Sequence, residues 1–111
     1  MSMIAPTQNV PYYAVIFTSI RTQGDNGYEK MAGEMMDFVS KQKGFLGEES
    51  VRDDKGFGIT VSYWDSLESI QAWKVFLPHK EAQDQGRLQW YGAYKVRVCR
   101  VESDQLFCEN K

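Results

Sequence analysis

His79 is the only histidine among 111 residues and the only side chain whose unperturbed pKa lies near neutrality. It follows Pro78 at what reads as a helix start, one turn before Gln83. An imidazole in that place is the natural general base; the alternative is a surface or hydrogen-bonded structural residue at a helix end. Trp64, Trp73, Trp90, Tyr63 and Tyr91 gather around the same part of the chain. They could line a flat pocket for an aromatic ligand, or they could be ordinary core at strand ends and on the inner face of a helix. Arg52, Lys95 and Arg97 fall on expected strands. There they could hold an anionic group, or pair with Glu48 or Glu49 where a buried face demands it. The candidate site is therefore His79 as catalytic base, with Trp64, Trp73, Tyr91 and Arg97 as substrate contacts.

Other chemistry finds no support. The chain carries neither G-x-x-x-x-G-K-[ST] nor H-E-x-x-H, and two cysteines with one histidine cannot build a zinc site. No metal and no cofactor is expected. Gly56-Phe57-Gly58 reads as a hairpin turn that needs positive φ. With 13 basic against 15 acidic residues the net charge is −2, and no cluster of Lys and Arg could track a phosphate backbone, so nucleic acid is not an expected partner. No apolar run approaches the roughly 20 residues of a membrane helix, and the opening MSMIAPTQNVP lacks the marks of a signal peptide. No membrane partner and a cytoplasmic address are expected. Cys99 and Cys108 read as free thiols.

The elements that must position these residues follow from periodicity. The length suits one domain, expected over 12–102, with flexible termini at 1–11 and 103–111. Tyr12 to Ile20 is apolar on both alternating sides, with Tyr13, Val15 and Phe17 on one and Ala14, Ile16 and Ile20 on the other. That is a strand buried on both faces. After Gly24-Asp25-Asn26-Gly27, residues Tyr28, Met31, Ala32, Met35, Phe38 and Val39 form the stripe of an amphipathic helix. Phe45 to Arg52 and Phe57 to Trp64 form a hairpin through Asp53-Asp54-Lys55-Gly56. Asp65 is the expected cap of a second helix, with Glu68 reaching back to it. Pro78 then starts a separate short helix that ends at Gly86, and Trp90 to Glu102 is a last strand with one polar side.

This order predicts an α+β, ferredoxin-like βαββαβ fold: four antiparallel strands with the helices on one face. Helices on one face leave the other bare, yet the first strand is apolar on both. A second copy of the sheet is the simplest cover, so a homodimer with sheets face to face, a dimeric α+β barrel, is expected.

Gly44-Phe45-Leu46-Gly47, Ile59 to Trp64, Asp65-Ser66-Leu67-Glu68-Ser69, Ala72-Trp73-Lys74, His79-Lys80-Glu81-Ala82-Gln83, Gly86-Arg87 and Trp90-Tyr91 together resemble the antibiotic biosynthesis monooxygenase (ABM) family. The resemblance covers about residues 12 to 102 and is more specific for fold than for chemistry. It implies a monooxygenase acting on a small aromatic or quinone-like molecule without a cofactor. The family's phenol-oxidising members carry an Asn four residues before the strand-ending Trp and a Tyr six residues after it. Here Thr60 and Ile70 hold those places and Trp64 alone matches. The haem-degrading branch resembles the chain in Trp73. It implies an Asn on the first strand, where Thr18 and Ser19 stand, and a His where Asp84 stands, so haem degradation is disfavoured. Three functions remain: an oxygenase with His79 as base, a non-catalytic small-molecule-binding or sensing dimer with the same pocket, and a structural dimer without a ligand.

Overall fold

β-Branched and aromatic residues carry β1 (Tyr12–Arg21), which sits in the middle of one antiparallel sheet of order β2-β3-β1-β4. The computed structural model describes residues 3–109. Around β1 come α1 (Tyr28–Ser40), β2 (Phe45–Arg52), β3 (Phe57–Trp64), α2 (Leu67–Val75), α3 (Leu77–Gln85) and β4 (Tyr91–Val101). A π-type turn over Gly86–Trp90 joins α3 to β4. This is the ferredoxin-like arrangement expected from the order of elements.

The helix starts and stops have local causes. At α1 the Asp25 carboxylate accepts from the backbone N–H groups of Gly27 (3.0 Å) and Glu29 (3.1 Å), satisfying donors that the first turn leaves free. At α2 the cap is Ser66 rather than Asp65. Ser66 is extended and its hydroxyl accepts from Ser69 N at 3.1 Å. Asp65 instead accepts from the Ser69 hydroxyl at 2.7 Å, and Ser69 occupies the place the capping box assigned one residue earlier to Glu68. Phe76, extended at ψ 122°, ends α2 and caps α3, and Pro78 lies in the first turn of α3. The helical region is thus broken in two as expected. α3 ends at Gln85 with Gly86 as its C-cap, as expected, and the chain runs on into the π turn, whose Trp90 is buried and donates from Nε1 to Asn26 O at 2.8 Å.

Register fixes the two faces of the sheet. Val15 stands beside Ser62 and Val98, Phe17 beside Thr60 and Val96, and on β2 Glu48 and Ser50 stand beside Ser62 and Thr60. Residues two apart share a face. The helix-facing side is therefore polar on β2 and β3 and apolar on β1 and β4. The opposite side carries Ile16, Ile20, Val51, Phe57, Ile59 and Val61, with Lys95, Arg97 and Cys99 of β4, and no helix covers it. Val51, Ile20, Phe57 and Ile59 are all exposed there.

The buried core is small and sits toward the two ends of β1. Trp64, fully buried, stands beside Tyr13 and meets the Phe45 ring edge-on at 5.4 Å. Trp90 lies at the Arg21 end, edge-on to Tyr28 at 6.4 Å. The flanking segments also touch the domain: Ala5 N donates to the Glu49 carboxylate at 2.9 Å, and the Tyr12 hydroxyl donates to Asp104.

Gly44, at φ +88°, joins α1 to β2, and its carbonyl accepts from Asp65 N at 2.8 Å. A Cβ there would fall 2.1 Å from Ser69 Oγ and 2.3 Å from Asp65 Oδ1, in addition to the cost of the left-handed backbone. Gly44→Ala should lower the unfolding free energy by roughly 2–4 kcal/mol, measured by urea denaturation.

Candidate functional site

Between the helices and the sheet lies a cavity of about 640 Å³, within the range of roughly 300–1,000 Å³ typical of small-molecule sites. Its floor is Val15, Phe17, Ser50, Thr60, Ser62, Val96 and Val98; its roof is the inner stripe of α1 (Met31, Ala32, Met35, Val39) with Ile70 and Trp73 of α2 and His79, Ala82 and Gln83 of α3. Tyr28, Tyr91, Tyr94, Glu48 and Arg52, with Met36, Lys74 and Arg87, complete the wall. The amphipathic stripe of α1 therefore faces this space as well as the core.

His79 is placed by the break between α2 and α3. Its ring stacks on Trp73 with centroids 4.3 Å apart, and Trp73 stacks in turn on Trp64 at 6.4 Å and on Phe76 at 5.5 Å. The Trp73 carbonyl, freed by the broken helix, lies 3.2 Å from His79 Nδ1. A carbonyl only accepts, so Nδ1 carries the proton and Nε2 presents a lone pair. Burial holds the His79 pKa below its ordinary 6.5, against a smaller upward effect of that backbone contact. The imidazole is thus neutral at pH 7 and fit to take up a proton.

At the other end of the cavity Tyr91 meets Phe17 edge-on at 5.3 Å and Tyr28 at 5.9 Å. Burial and the adjoining Tyr28 phenol push the Tyr91 pKa well up, opposed by the nearby Arg52 and Arg21. Arg87 of the π turn, which also lines the cavity, donates to the Tyr94 hydroxyl at 2.8 Å and pairs with Asp84 at 2.5 Å. Among the described residues no cluster of His, Cys, Asp or Glu could hold a metal ion, and no helix is long and apolar enough to cross a membrane.

Of the residues singled out from sequence, His79, Trp73 and Tyr91 line the cavity together. Trp64 does not line it but backs Trp73. Arg97 stands opposite Ile16, and strand alternation puts it on the uncovered face with Lys95, away from the cavity. Tyr63 is on that face too, donating to Glu49 at 2.6 Å; burial and that bond raise its pKa to about 12. The expected pairing of Arg52 with Glu48 or Glu49 does not occur. Arg52 binds Ser19 and the Gly56 carbonyl, and Glu49 is taken by Tyr63 and Ala5. Glu48 lines the cavity with its pKa raised by burial. Ser50 and Ser62 escaped the sequence reading, and Glu48 and Thr60 entered it only as an ion-pair partner and as the place of a family Asn, although polar residues in phase on two adjacent strands are the signal that marks all four. Thr60 and Ile70, the two positions where the family resemblance implied Asn and Tyr, both line the cavity.

Comparison with known proteins agrees with this architecture. Residues 11–85 match the family model of the antibiotic biosynthesis monooxygenases. The uncharacterized protein YqjZ of Bacillus subtilis is 46% identical over 110 residues, covering 99% of this chain and 96% of its own. The crystal structure of SnoaB, a cofactor-independent oxygenase from Streptomyces nogalater, superposes with a TM-score of 0.65 at 13% identity, over 90% of this chain and all of its own. A protein from Shewanella oneidensis gives a TM-score of 0.73 at 7% identity, over 84% of this chain and 93% of its own. At such identities the two structures speak for the fold, and the family match for descent: the chain belongs to the antibiotic biosynthesis monooxygenase family.

Proposed function

We propose that the protein is a homodimeric, cofactor-independent monooxygenase that takes a small flat aromatic or quinone-like molecule into the cavity. The observation that carries this reading is the neutral His79, with Nδ1 held by the Trp73 carbonyl and its ring at the cavity wall. Nε2 removes the proton of a phenol, and the resulting phenolate is electron-rich enough to reduce O₂ by one electron. Recombination of the two radicals forms a C–O bond at the ring carbon, and the peroxide anion takes the proton back from His79 Nε2 to become a hydroperoxide. Loss of water from the hydroperoxide then leaves a carbonyl, so one ring CH₂ and one O₂ become C=O and H₂O. Trp73, Phe17 and Tyr91 supply flat apolar walls for the ring.

The uncovered sheet face supports the dimer. Ile20, Phe57, Ile59 and Val51 would lie against water in a single chain, and a two-fold copy of the same face would bury them. A second reading, a binding or sensing dimer without turnover, draws on Ile70, which has no polar group where the family resemblance implies Tyr, and on Thr60, whose hydroxyl is paired with Ser50.

Light scattering at micromolar concentration should give about twice the 12.8 kDa chain mass, and Ile59→Lys should give the monomer; a wild-type monomer would refute the dimer. Nitrogen NMR should find the single histidine as the Nδ1–H tautomer, titrating below 6.5. With the folded pKa lowered, its contribution to stability is fully present above 6.5 and is lost as pH falls through the folded value. That part of the acid dependence should vanish in His79→Gln. The same variant should keep its fold while oxygen uptake with anthrone, a ketone whose enol tautomer is a phenol, falls at least 100-fold. Saturable binding of anthrone with no oxygen uptake by the wild type would favour the sensing reading.

A further inference from the structure

Arg52 projects from β2 into the cavity wall, and its guanidinium lies flat over Gly58 of β3. A Cβ at Gly58 would sit 2.6 Å from Arg52 Cζ, 2.8 Å from Nη1 and 3.0 Å from Nε. Gly58 is buried and its φ is not in the left-handed range, so the turn does not require glycine there; the Arg does. Nη1 donates to the Gly56 carbonyl at 2.6 Å and more weakly to Ser19 O at 3.4 Å, and Nη2 donates to Ser19 Oγ at 2.8 Å. A guanidinium has five N–H donors. Among the described residues the Nε–H and one Nη2–H, on adjacent nitrogens of one planar group, have no partner.

The charge is as notable as the donors. The ion pairs among the described residues are Lys41 with Asp37, Arg87 with Asp84 and Arg100 with Glu102, and none neutralises Arg52. Beside it Arg21 lies 3.7 Å over the Tyr28 ring, which Arg52 also approaches at 5.9 Å. The buried Arg21 Nε has no hydrogen-bond partner. Arg52 thus reaches one end of the cavity without a carboxylate, beside Tyr28 and Tyr91, and Arg21 adds a second positive charge behind Tyr28. The nearest wall carboxyl on the same strand, Glu48, is four residues away, roughly 13 Å along β2. A half-buried cation held without a counterion by a strand glycine is costly unless an anion completes it.

We propose that Arg52, seated on Gly58, is a carboxylate-binding subsite, and that the natural ligand is an aromatic acid whose ring lies between Phe17 and Trp73. Two adjacent N–H donors match the two oxygens of a carboxylate better than the single oxygen of a phenol. This rests on the cavity being a ligand pocket, as proposed above, and adds that the ligand is anionic at the Arg52 end.

Calorimetric titration of the intact protein with 2-naphthoate and with 2-naphthamide, the same ring without the charge, tests it. Naphthoate should bind at least tenfold tighter than naphthamide. Arg52→Gln should abolish the difference by weakening naphthoate alone, and Gly58→Ala should reduce it by displacing a guanidinium that is still present. Equal saturable binding of both ligands to the wild type would overturn the carboxylate subsite and leave the aromatic pocket standing. Failure of both ligands to bind would overturn the subsite and the pocket together. The wild-type comparison decides the matter even if either variant fails to fold.

Discussion

Trp64 and Trp90 are buried at opposite ends of β1, and the space between them is where the helix layer does not settle onto the sheet. Trp64 lies beside Tyr13 and Trp90 near Arg21, eight residues or roughly 26 Å apart along the strand. Between these ends the floor on β2 and β3 is Glu48, Ser50, Arg52, Thr60 and Ser62. Ser50 and Thr60 spend their hydroxyls on each other at 2.7 Å, and Ser62 accepts from Trp64 Nε1 at 2.9 Å. Such groups gain nothing from contact with the methionines of α1 and lose their hydration if pressed against them. A layer of helices anchored at both ends over a polar floor leaves a cavity, and the rest of the site depends on that.

The break after Trp73 serves the same space. A continuous helix from Leu67 to Gln85 would use the Trp73 carbonyl internally; the extended Phe76 leaves it able to meet His79 Nδ1 as well as Phe76 N. One local conformational event, dictated by Pro78, thus sets the imidazole's tautomer, its stacking on Trp73 and its exposure to the cavity. At the far end a strand glycine does the corresponding work for Arg52. The cavity is bounded by a neutral base at the helix break and by uncompensated positive charge at the hairpin.

Much of this was legible in the sequence because it rests on short-range rules. The strand of β1, the stripe of α1, the hairpin at Asp53 to Gly56 and the break at Pro78 follow from periodicity and turn chemistry. His79, Trp73 and Tyr91 stand out by residue type. What did not follow depends on phase and distance. Arg97 and Arg52 look alike in sequence, and only the pairing register shows that one faces the cavity and the other the bare side of the sheet. Gly58 reads as half of a turn motif with Gly56, yet Gly56 has φ +93° while Gly58 makes room for a side chain from the neighbouring strand. The cap at Ser66 instead of Asp65 is a one-residue choice between two good caps.

The polar part of the floor keeps open a space that apolar packing would otherwise fill. Ser50→Val/Thr60→Leu removes both members of one hydrogen-bonded pair, so no partner is orphaned, and adds apolar volume under α1. Urea denaturation should find this double variant as stable as the wild type or more so, by up to about 2 kcal/mol, because cavity-filling substitutions stabilise. A loss of more than about 1 kcal/mol would mean instead that the hydroxyl pair holds the sheet together and that the cavity is not spare space.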